Sequence, residues 1–197
     1  LKGLEEIIPL NAAEPLMLDD GWTFATPDPV TGAETAWQVY VKAKPDCSGR
    51  ATVPILWDRK RETIVSNESS EILRMFNSAF DALPGVNADL DVSPGELMSG
   101  IEEVNARVYD TVNNGVYKAG FATKQEPYEE AVTALFDSLD WLEERLSRHR
   151  YLVGDRLTEA DWRLFTTLLR FDPVYHGHFK CNIRRIADYP NLFAYLR

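Results

Sequence analysis

Residues 51–72 read Ala-Thr-Val-Pro-Ile-Leu-Trp-Asp-Arg-Lys-Arg-Glu-Thr-Ile-Val-Ser-Asn-Glu-Ser-Ser-Glu-Ile. Thr52 to Trp57 is a short β-rich run, Asp58 to Arg61 a polar turn, and Glu62 to Ser66 a second β-branched run, so the pair predicts a hairpin. The stretch from Ser66 to Glu71 then opens a helix carrying Ile72, Leu73, Phe76 and Phe80. Pro54 lies inside the first run, where it gives up a ladder hydrogen bond; that points to an edge, a bulge or a cis bond. A cis Val53-Pro54 bond would turn the Val53 N–H and C=O outward, free to pair with an extended peptide. Glu68 and Ser69 sit at the predicted helix start, which offers unpaired N–H groups and a partial positive charge to a carboxylate. The Ser69 hydroxyl can add a bond to that carboxylate, and Glu68 can accept from an ammonium. The plainer alternative for the Glu-Ser pair is an N-terminal cap alone.

A ligand with adjacent ammonium and carboxylate groups and a peptide backbone suits these features, and glutathione is such a ligand. Val53-Pro54 followed by Glu68-Ser69 resembles the glutathione site of thioredoxin-fold glutathione transferases. Four longer stretches narrow the resemblance: Ala-Thr-Val-Pro-Ile-Leu-Trp-Asp from 51, Ile-Val-Ser-Asn-Glu-Ser-Ser-Glu-Ile from 64, Tyr-Asp-Thr-Val-Asn-Asn-Gly-Val-Tyr-Lys-Ala-Gly-Phe-Ala from 109, and Phe-Asp-Pro-Val-Tyr from 171. With these the chain is similar, over nearly its whole length, to the glutathionyl-hydroquinone reductases, the Xi class. The resemblance implies an α/β plus all-α architecture. An incomplete thioredoxin-like domain over residues 1–82 would be followed by a linker at 83–93 and a helical transferase domain at 94–197.

Around this centre the chain reads as follows. Leu1 to Glu6 suggests a helix tail and Ile7 to Leu10 a short strand. Residues 14–36 are rich in Pro, Gly, Asp and Thr and read as a long loop, with Trp22 and Phe24 in it. Trp22 is either a loop anchor or, as the resemblance implies, a neighbour of glutathione. Trp37, Tyr40 and Val41 have helical spacing. Ser93-Pro94-Gly95-Glu96 looks like a capped helix start. Leu97, Ile101, Val104, Val108 and Val112 follow one helical face until Asn113-Asn114-Gly115 bends it. A second helix is expected from near Pro127, with its apolar face running from Tyr128 to Leu146. Thr158 and Asp161 form a capping box, which makes Asp161 structural rather than catalytic. Pro190 starts a last helix.

Composition excludes some classes. The net charge of −10 over 197 residues disfavours nonspecific nucleic-acid binding, and no apolar run reaches the length of a membrane span. Cys47 and Cys181 are isolated thiols, which fits a reducing, cytoplasmic compartment. Three histidines, with only His176 and His178 closely spaced, give no metal-ligand set, so no metal is expected. The chain starts in an apparent last helical turn and stops inside an amphipathic pattern, so it is expected to be a piece of a longer protein. A thioredoxin-like domain without its first strand is then expected to be poorly protected over its first eighty residues.

The family reaction implied is reduction of a glutathionyl-hydroquinone by a cysteine thiolate. Neither Cys47 nor Cys181 matches the family's Cys-Pro-Trp context, so no nucleophile is assigned. By resemblance, glutathione is co-substrate, Trp22, Val53, Glu68 and Ser69 form its cradle, and the protein is a homodimer. Tyr117 matches a tyrosine set against the hydroquinone, the alternative being a buried tyrosine bonded to backbone; Tyr175 is a second, weaker candidate for the same pocket. Two other functions remain open: an Omega-like thioltransferase or dehydroascorbate reductase, which the block from Tyr109 argues against, and a noncatalytic interaction module.

Overall fold

The computed structural model describes residues 1–197, which divide into two compact units, Leu1–Leu90 and Asp91–Arg197. The division falls inside the stretch expected to be a linker. Residues 81–90 stay with the first unit because its amino-terminal residues hold them. Lys2 Nζ pairs with Asp81 at 2.7 Å and donates to the Leu90 carbonyl at 2.8 Å, and Asn87 N donates to the Lys2 carbonyl at 2.9 Å.

In the first unit, helix α1 (Ala36–Ala43) buries Ala36 and Val39. The Gln38 side chain accepts from the Glu34 and Thr35 N–H groups and so closes the helix start. Strands β1 (Leu56–Asp58) and β2 (Thr63–Ser66) form the predicted antiparallel hairpin, with Trp57 opposite Ile64 and an irregularity between Leu56 and Trp57. Asp58 Oδ1 accepts from the N–H groups of Lys60 and Arg61 and so shapes the turn. Strand β1 is shorter than expected and begins two residues after Pro54, whose missing N–H cannot enter a ladder. Helix α2 (Ser69–Ser78) buries Ile72, and Phe76 meets Phe80 edge-on at 5.9 Å between ring centroids.

Two local expectations are corrected here. Leu1 to Glu6 is a turn closed by Ile8 N donating to Leu4 O, not a helix tail, and Ile7 to Leu10 forms no strand. A strand needs a ladder partner, and the only sheet in this unit is the β1–β2 pair. The long loop at 14–36 is more ordered than its composition suggests: it carries β-bridges between Leu18 and Gly21 and between Thr23 and Thr35.

The second unit is helical. Helix α3 (Met98–Val108) continues through a π-turn at Tyr109–Asn113 into α4 (Gly115–Phe121). Then come α5 (Gln125–Leu146), α6 (Glu159–Arg170), a second π-turn at Phe171–Tyr175, the single turn α7 (His176–His178) and α8 (Pro190–Tyr195). The predicted apolar faces make its core: Ile101, Val104, Val108 and Val112 pack with Leu135, Leu139, Leu142, Leu164 and Leu168, all essentially free of solvent. Each such aliphatic side chain contributes on the order of 1.5–3 kcal/mol. The Thr158–Asp161 box forms as predicted. Asp161 also accepts from Leu152 N and from the Tyr195 hydroxyl, so its buried carboxylate joins three segments. The predicted box at Ser93 does not form: the Ser93 hydroxyl donates to Glu159 at 2.8 Å, and a 3-10 turn at Gly95–Leu97 precedes α3. The buried Glu159 carboxylate, which also accepts from Asn105, takes the hydroxyl that a local cap would have used. No helix is long and apolar enough to cross a membrane.

Candidate functional site

In the first unit the peptide bond between Val53 and Pro54 is cis. The Val53 backbone N–H and C=O are uncommitted within the chain, and the residue is 39% exposed. Glu68 is the N-cap residue of α2, extended at φ −97° and ψ 115°, and both it and Ser69 are exposed. The N–H groups of Ser69 and Ser70 have no partner in the chain, as expected of a first helical turn.

The two predicted spots are brought together by residues that local sequence did not single out. Asn67 Nδ2 donates to Thr52 Oγ1 at 3.1 Å, so the residues immediately before Glu68 and Val53 are bonded to each other. From α1, the Tyr40 hydroxyl donates to the Thr52 carbonyl at 2.9 Å. The buried Ser66 hydroxyl donates to Glu71 at 2.7 Å and accepts from the Glu68 N–H at 3.1 Å, which fixes how β2 enters α2. Glu71 is thereby engaged, while the Glu68 side chain is left with no ion pair in the chain. The result is an outward backbone edge and a helix start at one corner, with a carboxylate beside them for an ammonium. Trp22 is not tied to this corner: it is half-buried, and its carbonyl accepts from Ala36 N at the start of α1.

In the second unit Tyr117 is 44% exposed on α4, so it is not the buried, backbone-bonded tyrosine of the plainer expectation. Its hydroxyl lies 3.2 Å from that of Tyr175. Tyr175, expected to face a ligand itself, is only 4% exposed and offers no face to one. Burial first, and then the bond to Tyr117, hold its hydroxyl pKa above the usual tyrosine value. Phe121 stacks beside Tyr117 at 6.2 Å, and Phe179 meets it edge-on at 5.4 Å. Gly120 makes this packing possible, since a Cβ there would lie 2.3 Å from the Phe179 ring. Tyr109 is exposed at the start of the first π-turn, with the Arg163 guanidinium 5.9 Å from its ring. Cys181 is buried and its thiol is pushed up to about 11 by burial, so it is no nucleophile at neutral pH.

The model of the glutathione S-transferase C-terminal domain matches residues 125–197. The chain is 58% identical to the glutathionyl-hydroquinone reductase PcpF of Sphingobium chlorophenolicum, over 98% of its own length and 62% of that protein's. It superposes on the crystal structure of glutathione S-transferase Xi from Phanerochaete chrysosporium with a TM-score of 0.96, at 54% identity, covering 99% of this chain and 69% of that one.

The chain belongs to the Xi class of glutathione transferases.

A glutathione-bound structure, that of the Escherichia coli transferase homologue YqjG, matches with a TM-score of 0.92 at 57% identity, over 99% of this chain and 65% of that one. The Xi-class chain thus spans about three-fifths of the curated reductase. Within that span lie the corner at Val53 and Glu68 and the tyrosine pair. The family fold, a thioredoxin-like part followed by an all-helical domain, is the one expected from the sequence. The bonds from Tyr40, Asn67 and Ser66 were not legible beforehand, because nothing local marks a tyrosine in α1 as the partner of Thr52.

Proposed function

We propose that the protein is a glutathione-dependent reductase of glutathionyl-hydroquinones, to which this chain contributes a glutathione cradle and an aromatic donor. The observation that carries the reading is the Thr52–Asn67 bond, which sets the free Val53 edge beside the start of α2. At that corner the glutathione peptide backbone pairs with Val53. Its γ-glutamyl carboxylate takes the α2 N–H groups and the Ser69 hydroxyl, and its ammonium takes Glu68. Trp22 borders the ligand by resemblance only.

The chemistry begins when a thiolate attacks the sulfur of the thioether. A disulfide between enzyme and glutathione forms, the sulfur–aryl bond breaks with its electron pair on the ring carbon, and a proton there completes the hydroquinone. A second glutathione thiolate then displaces the enzyme sulfur and leaves as glutathione disulfide. Tyr117 is the group assigned to the hydroquinone oxygen. The attacking thiolate is assigned to neither Cys47 nor Cys181. We place the protein in the cytoplasm as a homodimer that works without a metal. Its two unpaired thiols support the compartment, and sedimentation of the full-length protein tests the dimer.

Calorimetry with glutathione tests the cradle. The wild type binds, and Glu68→Gln weakens binding about tenfold by removing one charged partner. Glu68→Gln and Ser69→Ala variants that both bind like wild type remove the corner from the site. Release of hydroquinone from a glutathionyl-hydroquinone by the full-length protein tests the reaction itself.

A further inference from the structure

In a trans peptide group the C=O and the following N–H lie in one plane and point to opposite sides of the chain. Whatever holds the Thr52 carbonyl therefore aims the Val53 N–H. The Thr52–Val53 bond is trans, and the Thr52 carbonyl accepts from the Tyr40 hydroxyl at 2.9 Å. That hydroxyl stands on α1, a helix fixed by the buried Ala36 and Val39. Thr52 Oγ1 lies 3.2 Å from the Tyr40 oxygen and accepts from Asn67 Nδ2 at 3.1 Å. Tyr40 has one proton, and it goes to the carbonyl, so the Thr52 hydroxyl proton is the one left for the Tyr40 oxygen. The two side chains thus hold Thr52 at its hydroxyl and at its carbonyl together. Little else fixes this stretch. Residues 49–55 contain no helix or strand, and the hydrogen bonds that hold them converge on Thr52. The Val53 N–H itself has no partner in the chain.

We infer that Tyr40 is a positioning residue that aims the Val53 N–H at a backbone carbonyl of a bound peptide. The inference rests on the glutathione-cradle reading. It deepens that reading by dividing the ligand between two readers. The start of α2, with Glu68 and Ser69, takes the γ-glutamyl end, and the Val53 N–H takes the carbonyl of the cysteinyl residue that follows. Accepting from Tyr40 also polarises the Thr52–Val53 amide, which makes its N–H the stronger donor. Without the Tyr40 hydroxyl, the exposed Thr52 carbonyl turns to water and the peptide group is free to rock about its flanking bonds. The effect falls on the cysteinyl carbonyl and spares the γ-glutamyl end, because the α2 start is fixed separately by the Ser66 bonds to Glu71 and to the Glu68 N–H.

The test uses the full-length protein, with threonine labelled at its carbonyl carbon and valine at its nitrogen, so that nuclear magnetic resonance reports on the Thr52–Val53 peptide group. Two probes are titrated. Glutathione carries the cysteinyl carbonyl; γ-glutamyl methylamide keeps the same ammonium and carboxylate and lacks it. In the wild type, glutathione moves the Val53 nitrogen resonance and γ-glutamyl methylamide leaves it in place, a result that needs no variant. Tyr40→Phe keeps the ring and removes only the donor. It weakens glutathione about fivefold and leaves γ-glutamyl methylamide within about twofold of wild type. A tyrosine that only stabilised the corner would weaken both probes alike. Glutathione affinity unchanged in Tyr40→Phe, both probes weakened equally, or a wild-type Val53 nitrogen that glutathione leaves unmoved each overturns the inference. A wild type that binds neither probe removes the cradle reading and the inference with it, whereas wild-type binding that survives Tyr40→Phe intact removes the inference alone.

Discussion

The corner at Val53 and Glu68 and the box at Thr158 and Asp161 both end at a helix start, yet they are built in opposite ways. At Asp161 every oxygen is buried and engaged, and nothing is left for a ligand. At Glu68 the side chain and the next N–H groups are exposed and uncommitted, and the fixing is done by Ser66, Asn67 and Tyr40 around them. The same sequence signature, a polar residue opening a helix, therefore gives a closed junction when its oxygens are satisfied inside the chain and leaves open polar groups when they are not. The small first unit holds its exposed polar groups with a few side-chain bonds over a hairpin of short strands. The second unit holds its groups with a contiguous apolar core.

Thiol chemistry gives the widest separation between the two units. Cys47 is exposed in the first and Cys181 buried in the second, so a disulfide reagent near neutral pH is expected to label Cys47 roughly a thousandfold faster. Equal labelling rates would mean that the helical core opens as readily as the surface loop. Asp161→Ala comes next. It strands the Leu152 and Thr158 N–H groups and the Tyr195 hydroxyl, and is expected to cost about 3 kcal/mol in urea unfolding of the helical unit. A loss below about 1 kcal/mol would show that water replaces the carboxylate and would erase the contrast with Glu68. Ser66→Ala has the smallest effect, about 1 kcal/mol, because the Glu68 N–H it abandons is near solvent. Its sharper consequence is a loosened entry into α2, read as faster amide exchange at Glu68 and Ser69.

Much of this architecture was legible in the sequence where the signal repeats. The face from Ile101 to Val112 and the face from Val132 to Leu146 appear in the core as read, because apolar spacing alone decides which side of a helix is buried. Strand limits were read less well: the first β run was placed from Thr52, but Pro54 keeps the ladder from starting before Leu56. Val53, Glu68 and Ser69 were singled out from chain order and lie at one corner that the Asn67–Thr52 bond closes, whereas Trp22 has no bond to it.

What the sequence by itself determined lies within one or two helical turns: the hairpin turn at Asp58, the box from Thr158 to Asp161, Pro190 opening α8, and the paired Glu68 and Ser69. Tertiary structure decided which distant partner each polar group found. Ser93 went to Glu159, 66 residues away, instead of capping its own helix; Tyr117 met Tyr175 across 58 residues; Thr52 was claimed by both Tyr40 and Asn67. Local propensity ranks what a residue can do with its neighbours three or four positions away. The choice among distant partners is made by burial, which leaves a hydroxyl or carboxylate costly unless packing delivers a match.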